Sequence, residues 1–345
     1  MPAKNRQFLL ASRPKGEPTL ANFKLVESEI PTAGPGQMLL RSIYLSLDPY
    51  MRGRMNAGKS YARPVEIGEV MEGRAVGEVL VSHLSGFKAG DVVFAPIGWQ
   101  EYGVSDGTGA RIIDPAQSPL SYALGVLGMP GLTAYTGLLN IGNPKAGETL
   151  VVAAASGAVG SVVGQIGRIK GCRVVGIAGG EKKCGYAKQE LGFDDCLDHR
   201  QPQLTERLKA ACPSGIDVYF ENVGGPVFDA VFPLLNDFAR IPVCGQIAHY
   251  NATELPPGPD RLPMFLLSIL TKRLTFRGFI VGDFASQFSQ FLADMVPWIK
   301  EGKVKYREDI TDGLENAPRE LIGLLRGENF GKKIIRIGAE PAANC

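Results

Sequence analysis

The sequence predicts an α/β chain of two domains, one β-rich and partly barrel-like, the other a doubly wound parallel sheet. Three observations carry that expectation. At 345 residues the chain exceeds what a single core holds. Up to about residue 124, apolar β-branched segments are punctuated by glycine and proline, with little helical spacing. From Thr149 onward, short buried strands alternate with amphipathic helices, the pattern of a parallel sheet. The expected division is 1–124, then 125–298, with 299–345 returning to complete the first domain.

In the first domain the strand segments are Gln37–Leu47, Ile67–Val81, Asp91–Ile97 and Trp99–Val104. Within Tyr44–Met55, YLSLDPYMRGRM, the pair Asp48-Pro49 is expected to break the strand and expose the residues after it. Tyr50 and Tyr61 read on their own as half-buried packing residues. From Gly125 the texture changes: Leu127–Tyr135 leads into a helix, and Gly142–Gly147 turns into Leu150–Ala155, a strand buried on both faces. The turn Ser156–Gly160 comes next, then apolar positions Val159, Val162, Val163, Ile166 and Ile169 at helical spacing, and a second strand, Cys172–Ala178. Helix Lys182–Leu191, strand Asp195–Asp198, helix Gln203–Ala211, strand Ile216–Glu221, helix Pro226–Leu235 and strand Arg240–Gly245 continue the alternation. Leu274–Val281 makes a sixth strand, and the expected spatial order is 3-2-1-4-5-6. Prolines between Leu255 and Pro263 are expected to hold that connection extended and stiff. A helix around Phe284–Glu301 precedes short β-like runs from Lys305 to Ile337.

Strand, glycine turn, helix and strand in one short stretch form a βαβ unit, which makes a weak motif informative. Gly157 lets backbone approach a pyrophosphate at the helix N-terminus, while Gly160 and Gly164 allow close helix–strand packing. The match to G-x-G-x-x-G is partial, because Ala155 stands at its first glycine. An NAD site would place Asp or Glu at the end of the second strand; this chain has Gly179-Gly180-Glu181-Lys182-Lys183. Glycines make room for a 2′-phosphate and a lysine pairs with it, so the reading is NADP(H).

A net charge of +2 with 21% charged residues gives no basic excess for nucleic acid. MPAKNRQFLLASRPKG has too little apolar run for a signal peptide, and Met264–Leu270 is too short to span a bilayer. The six cysteines are scattered without the paired spacing of zinc ligands or a disulfide framework. A reduced, cytoplasmic protein without membrane contact is expected.

YLSLDPYMRGRM, LGMPGLTAYTGL, AAASGAVGSVVGQIGRIKGC, ENVGG, YNATELPPGPDRLP and GENFGKKIIRIG together resemble the zinc-independent medium-chain dehydrogenase/reductase superfamily. Within it they are similar to the NADPH-dependent alkenal, prostaglandin and curcumin reductases. The resemblance covers nearly the whole chain. It implies a partly open β-barrel (GroES-like) catalytic domain, formed from both chain ends, around a central Rossmann cofactor domain. It also implies Gly157, Ala158, Val159 and Gly160 at the pyrophosphate, with Gly180 and Lys183 at the 2′-phosphate of NADPH. His199 stands where many relatives carry tyrosine, and contributes a donor more strongly when protonated. Asn222, Asn329, Cys244, Gly245, Gln246, Ile247 and Tyr250 would line the cofactor, with Phe279, Ile280 and Val281 beside the nicotinamide. Met129 and Thr133 would lie at the same site.

The implied activity is reduction of the carbon–carbon double bond of small enones and enals. LSLDPYMRG lacks the cysteine and histidine that zinc enzymes use there, so another group must stabilise oxygen charge. A phenol suits that role, with Tyr250 the first candidate, Tyr50 the second, and Tyr61 in the substrate pocket. A zinc-free quinone reductase and a non-catalytic NADPH-binding protein are the alternatives. A homodimer through the sixth strand is expected, because its apolar edge needs cover.

Overall fold

The computed structural model describes residues 4–256 and 258–341. Pro257 of the proline-rich connection, Cys345 and residues 1–3 lie outside the described residues. The chain forms two compact units, 1–125 with 308–345, and 126–307.

The second unit is a six-stranded parallel sheet of Thr149–Ala153, Arg173–Ala178, Asp195–Asp198, Ile216–Phe220, Leu235–Val243 and Thr275–Gly278. Their spatial order is third, second, first, fourth, fifth, sixth, as the alternation predicts. Leu150 to Ala153 are fully buried, since helices cover both faces. Close approach of helix Gly160–Ile169 depends on missing side chains: a Cβ at Gly164 would stand 1.9 Å from Phe193 Cζ. Leu208, Val231, Ile216 and Ile241 complete the core on one side.

Four boundaries differ from expectation. Helix Gly225–Val231 stops early because Phe232–Leu234, with Pro233, tightens into a 3₁₀ turn; the fifth strand therefore opens at Leu235. The sixth strand is only Thr275–Gly278, since Phe279 turns inward against Phe220, centroids 6.3 Å apart. The stretch after the prolines is a helix, Leu262–Lys272, whose first turn holds Pro263. Proline is tolerated there, so the residue that suggested an extended run also opens a helix. The last long helix is Phe288–Lys300, preceded by a 3₁₀ stretch.

The chain leaves the second unit at 307/308 rather than 298/299. Gln165 holds Lys305 there: its Nε2 donates to the Lys305 carbonyl at 2.9 Å, and its Oε1 accepts from the Lys305 N–H at 2.7 Å.

In the first unit, Lys4–Leu10 and Phe23–Glu29 pair as an antiparallel ribbon. A seven-stranded sheet runs Glu308–Asp312, Lys332–Arg336, Met38–Ser46, Ala75–Ser82, Val92–Ala95 and Arg111–Ile112, with Tyr102–Ser105 also on Met38–Ser46. One strand bonded on several sides curls the sheet into a partly open barrel. Trp99 fills its end, stacked on Phe23 and edge-on to Phe8. Helix Ala317–Leu325, in the segment read as β-like, closes that core through Leu321 and Leu324.

Asp48-Pro49 does end the strand, and Gly53 and the residues from Asn56 to Arg63 are exposed, but the four long side chains from Met51 to Met55 are not. Met51 and Met55 are fully buried, and Arg52 and Arg54 nearly so, around a short helix, Met51–Arg54. Their charges are met inside: Arg52 donates to the Gly16 carbonyl and Asn56 Oδ1, each at 2.7 Å, and Arg54 pairs with Glu72 at 3.0 Å. Beneath lies a buried ion pair. Lys332 Nζ donates to the Leu47 carbonyl at 2.7 Å and to Asp48 Oδ1 at 2.9 Å, and Ser46 donates to Asp48 Oδ2 at 2.5 Å.

Lys332→Met should strand the Asp48 carboxylate in the core and cost about 3–5 kcal/mol. Denaturant unfolding followed by the fluorescence of buried Trp99 checks this. A loss below about 1 kcal/mol would show that water reaches the pair.

Candidate functional site

The C-terminal ends of the parallel strands gather most of the expected residues. The first strand ends at Ala153, and Ala154, with a φ of 55°, turns the chain sharply. Gly157 donates its N–H back to the Ala154 carbonyl at 2.9 Å. A Cβ at Gly160 would stand 2.3 Å from that carbonyl oxygen, so only glycine starts the helix this close to the strand. Gly157, Ala158 and Val159 are half-buried in front of the positive end of the helix dipole.

At the second strand end, Gly180 has a φ of 95° and donates to Asp198 Oδ1 at 2.9 Å; the Arg200 N–H donates to the same oxygen at 2.9 Å. A Cβ at Gly179 would meet His199 Nε2 at 3.0 Å and Arg200 Nε at 3.2 Å. Lys183 belongs to the same cluster. Desolvation holds the His199 imidazole below its ordinary value, opposed by Asp198, with the charges of Arg200 and Lys183 lowering it further. The donor expected at His199 would be stronger when protonated, and desolvation together with the charges of Arg200 and Lys183 disfavours that form. Arg200 was missed from the sequence. The signal was its place at the end of the third strand, beside the glycines that end the second. A side-chain-free spot beside His199 and Arg200, with the Lys183 charge close enough to act on the imidazole, fits a dianionic phosphate.

At the fourth strand end, Glu221 is buried and organises its loop. Its Oε1 accepts from the N–H groups of Val223 at 2.6 Å and Gly224 at 2.9 Å. Its carbonyl accepts from Cys244 at 2.9 Å and Gly245 at 3.2 Å. Asn222 Nδ2 donates to the Ala153 carbonyl at 2.8 Å, tying the fourth strand end to the first. Ile247 and Ala248 donate to the carbonyls of Asn222 and Val223. Burial, with Glu221 nearby, pushes the Cys244 thiol up to about 12, so it is an inert wall. Gln246 is exposed, and Tyr250 comes after the turn Ile247–His249 with its hydroxyl 3.0 Å from where a Gly245 Cβ would be.

Met129 opens helix Met129–Thr136, and Thr133 Oγ1 donates to its carbonyl at 2.8 Å. The Phe279 ring is core; Ile280 is exposed and Val281 half-buried.

Three expected residues belong to the first unit. The Tyr50 ring lies beneath the guanidinium groups of Arg54 and Arg74, 5.6 and 5.7 Å from its centroid, and Arg74 Nη1 donates to its hydroxyl at 3.5 Å. Burial pushes the Tyr50 phenol far above its usual range, against the pull of Arg74. Tyr61 is 59% exposed, with Arg54 4.4 Å over its ring, so Arg54 joins the two tyrosines. Asn329 donates to the Gly331 carbonyl at 2.7 Å. Among the described residues, no three His, Cys, Asp or Glu side chains gather as a metal site.

A barrel-like unit and a doubly wound sheet with a phosphate turn define a two-domain dinucleotide-dependent oxidoreductase. Residues 6–113 match the family described as the N-terminal domain of oxidoreductase, and 158–299 the family described as zinc-binding dehydrogenase. The chain is 57% identical over 339 residues to the NADPH-dependent curcumin reductase of Escherichia coli (strain K12), covering 98% of each. It is 40% identical over 343 residues to the NADP(+)-dependent 2-alkenal reductase of Nicotiana tabacum, covering 97% of this chain and 98% of that one. The crystal structure of CurA in complex with NADPH from Vibrio vulnificus superposes with a TM-score of 0.95 at 57% identity, covering 97% of this chain and 100% of the other. The chain belongs to the alkenal, prostaglandin and curcumin reductase group of the medium-chain dehydrogenase/reductase superfamily.

Proposed function

We propose that the protein is an NADPH-dependent reductase of the carbon–carbon double bond in α,β-unsaturated carbonyl compounds, acting on 2-alkenals, enones and curcumin-like diarylheptanoids. The observation that carries this reading is the basic, side-chain-free spot at Gly179-Gly180. Lys183 and Arg200 pair with the 2′-phosphate there, and His199 adds a neutral donor. Gly157, Ala158, Val159 and Gly160 hold the pyrophosphate. Asn222, Cys244, Gly245, Gln246, Ile247, Met129, Thr133 and Asn329 line the rest, with backbone from Phe279 to Val281 beside the nicotinamide.

When bound, the reduced cofactor supplies a hydride to the substrate β-carbon, and charge develops on the carbonyl oxygen. The chain meets that charge with phenols. Tyr250 is the first candidate to donate its hydroxyl to that oxygen; Tyr50, which burial keeps protonated, is the second, and Tyr61 is the candidate for contact with the rest of the substrate. An NADPH-oxidation assay should show turnover with a 2-alkenal and a curcuminoid and little with a quinone. The reverse order would favour the quinone reductase. Tyr250→Phe should lower turnover about 100-fold or less, with NADPH affinity unchanged. Turnover within about twofold of wild type would remove Tyr250 from catalysis.

Lys183→Ala and Arg200→Ala should each raise the KM for NADPH about 10- to 150-fold, the worth of a charge-assisted hydrogen bond. The KM for NADH should stay put. Equal losses with both cofactors would assign these residues to the fold alone.

The protein is further proposed to be a homodimer and cytoplasmic. Thr275–Gly278 ends its sheet, and Leu262, Met264, Leu267 and Leu270 of the preceding helix are all more than half exposed. A second copy of the chain, pairing edge to edge, covers both. The described cysteines are thiols, in keeping with a reducing compartment. Sedimentation at micromolar concentration should give twice the chain mass; a monomer there would count against the dimer.

A further inference from the structure

Two thiols meet behind the phosphate spot. Cys184 directly follows Lys183 in helix Glu181–Gln189, and Cys196 lies in strand Asp195–Asp198, which leads into His199 and Arg200. Cys184 and Cys196 line the same cavity, and each is the strongest influence on the other's thiol. Gly176 makes the room: a Cβ there would stand 3.0 Å from Cys196 Sγ. Both cysteines line an open cavity of about 380 Å³ with Glu181, Lys188, Gln189 and Asp198, so a small reagent reaches them although each residue is only 5% exposed.

The other described thiols are poor nucleophiles. Burial pushes Cys172 and Cys212 up to about 11 and Cys244 to about 12. Cys184 alone moves down, with Cys196 the largest cause; Cys184 in turn, with burial, holds the proton on Cys196. One sulfur is the attacking thiolate and its neighbour the resolving thiol.

We propose that Cys184 and Cys196 form a two-electron redox site, closed to a disulfide by a small hydroperoxide and reopened by thiols. The Cys184 sulfur attacks the peroxide, the O–O bond breaks, and an alcohol (or water) leaves as Cys184 becomes a sulfenic acid. The Cys196 sulfur then attacks that sulfur, an S–S bond forms and water departs. Two thiols are oxidised by two electrons and the peroxide is reduced by two. Closing the bridge draws together the helix turn that carries Lys183 and the strand that leads into His199 and Arg200. The phosphate spot is distorted, and NADPH binding weakens. This last step rests on the proposed phosphate role of Lys183; the bridge does not.

The test treats the full-length protein with hydrogen peroxide, removes the reagent, and maps the cysteines by mass spectrometry beside steady-state kinetics. The expected result is a Cys184–Cys196 linked peptide and a rise of about tenfold in the KM for NADPH but not NADH, both reversed by dithiothreitol. Cys184→Ser should resist the treatment while keeping untreated activity. The absence of that linked peptide, or an equal peroxide response in Cys184→Ser, overturns the proposal. A linked peptide with unchanged KM overturns the coupling; if Lys183→Ala is also silent, it is the phosphate reading that has failed.

Discussion

The first unit depends on a charge taken out of water. Lys332 comes from the last strand and Asp48 from the end of an early one, and both are almost fully buried. A lone ammonium or carboxylate there would be intolerable, so each end of the chain requires the other. The pair also fixes a geometry. Lys332 holds the Leu47 carbonyl as well as Asp48, and Ser46 holds the second carboxylate oxygen, so the strand exit is pinned on three sides. Tyr50 sits two residues beyond that anchor, at the start of a helix of four residues. Such a short helix has little stability of its own. The position of its first side chains is inherited from the ion pair beneath.

The second unit uses carboxylates in the same supporting way. Glu221 and Asp198 stand at strand ends, where a ligand is expected, yet both turn their oxygens to backbone N–H groups. Each holds a loop in a conformation rich in positive φ, at Gly180, Gly224 and Gly225. A carboxylate used this way brings negative charge near an anion site without presenting it. At the proposed phosphate spot His199 and Arg200 stand against the glycines with the Lys183 charge nearby, so the field there is basic despite Asp198 beside them.

Much of this was legible in the sequence where local pattern and tertiary role coincide. The βαβ unit and the sheet order came from buried strands at regular spacing, because a parallel sheet with both faces covered leaves no other place for runs such as Leu150–Ala153. Legibility failed where a residue has two compatible uses. Pro263 reads as a breaker and acts as a helix opener. Asp48-Pro49 ends a strand, but whether the next residues face water depends on Gly16, Asn56 and Glu72, none of which a local reading connects to Arg52 or Arg54. The same holds for the site. Lys183 stood out beside its glycines, whereas Arg200 acquires its place only when the third strand lies beside the second.

The phenols carry a constraint of sign. A group that stabilises negative charge on a carbonyl oxygen must hold a proton and give up part of it. Burial keeps the proton on Tyr50, while the guanidinium groups of Arg54 and Arg74 over its ring favour the oxygen carrying negative charge, which makes the O–H a stronger donor. Tyr250 is placed by a vacancy: its hydroxyl occupies the space that a side chain at residue 245 would take. Gly245 therefore acts through what it lacks, and Gly245→Ala would displace the phenol oxygen before it disturbed the strand. The nearest carboxylate on the same strand ends, Glu221, lies buried with its Oε1 committed to Val223 and Gly224. Were it turned outward, its charge would oppose any enolate forming nearby. The loop bonds that fix Glu221 thus shape the field at a distance, so that the donor proposed at Tyr250 is not opposed by an anion turned toward it.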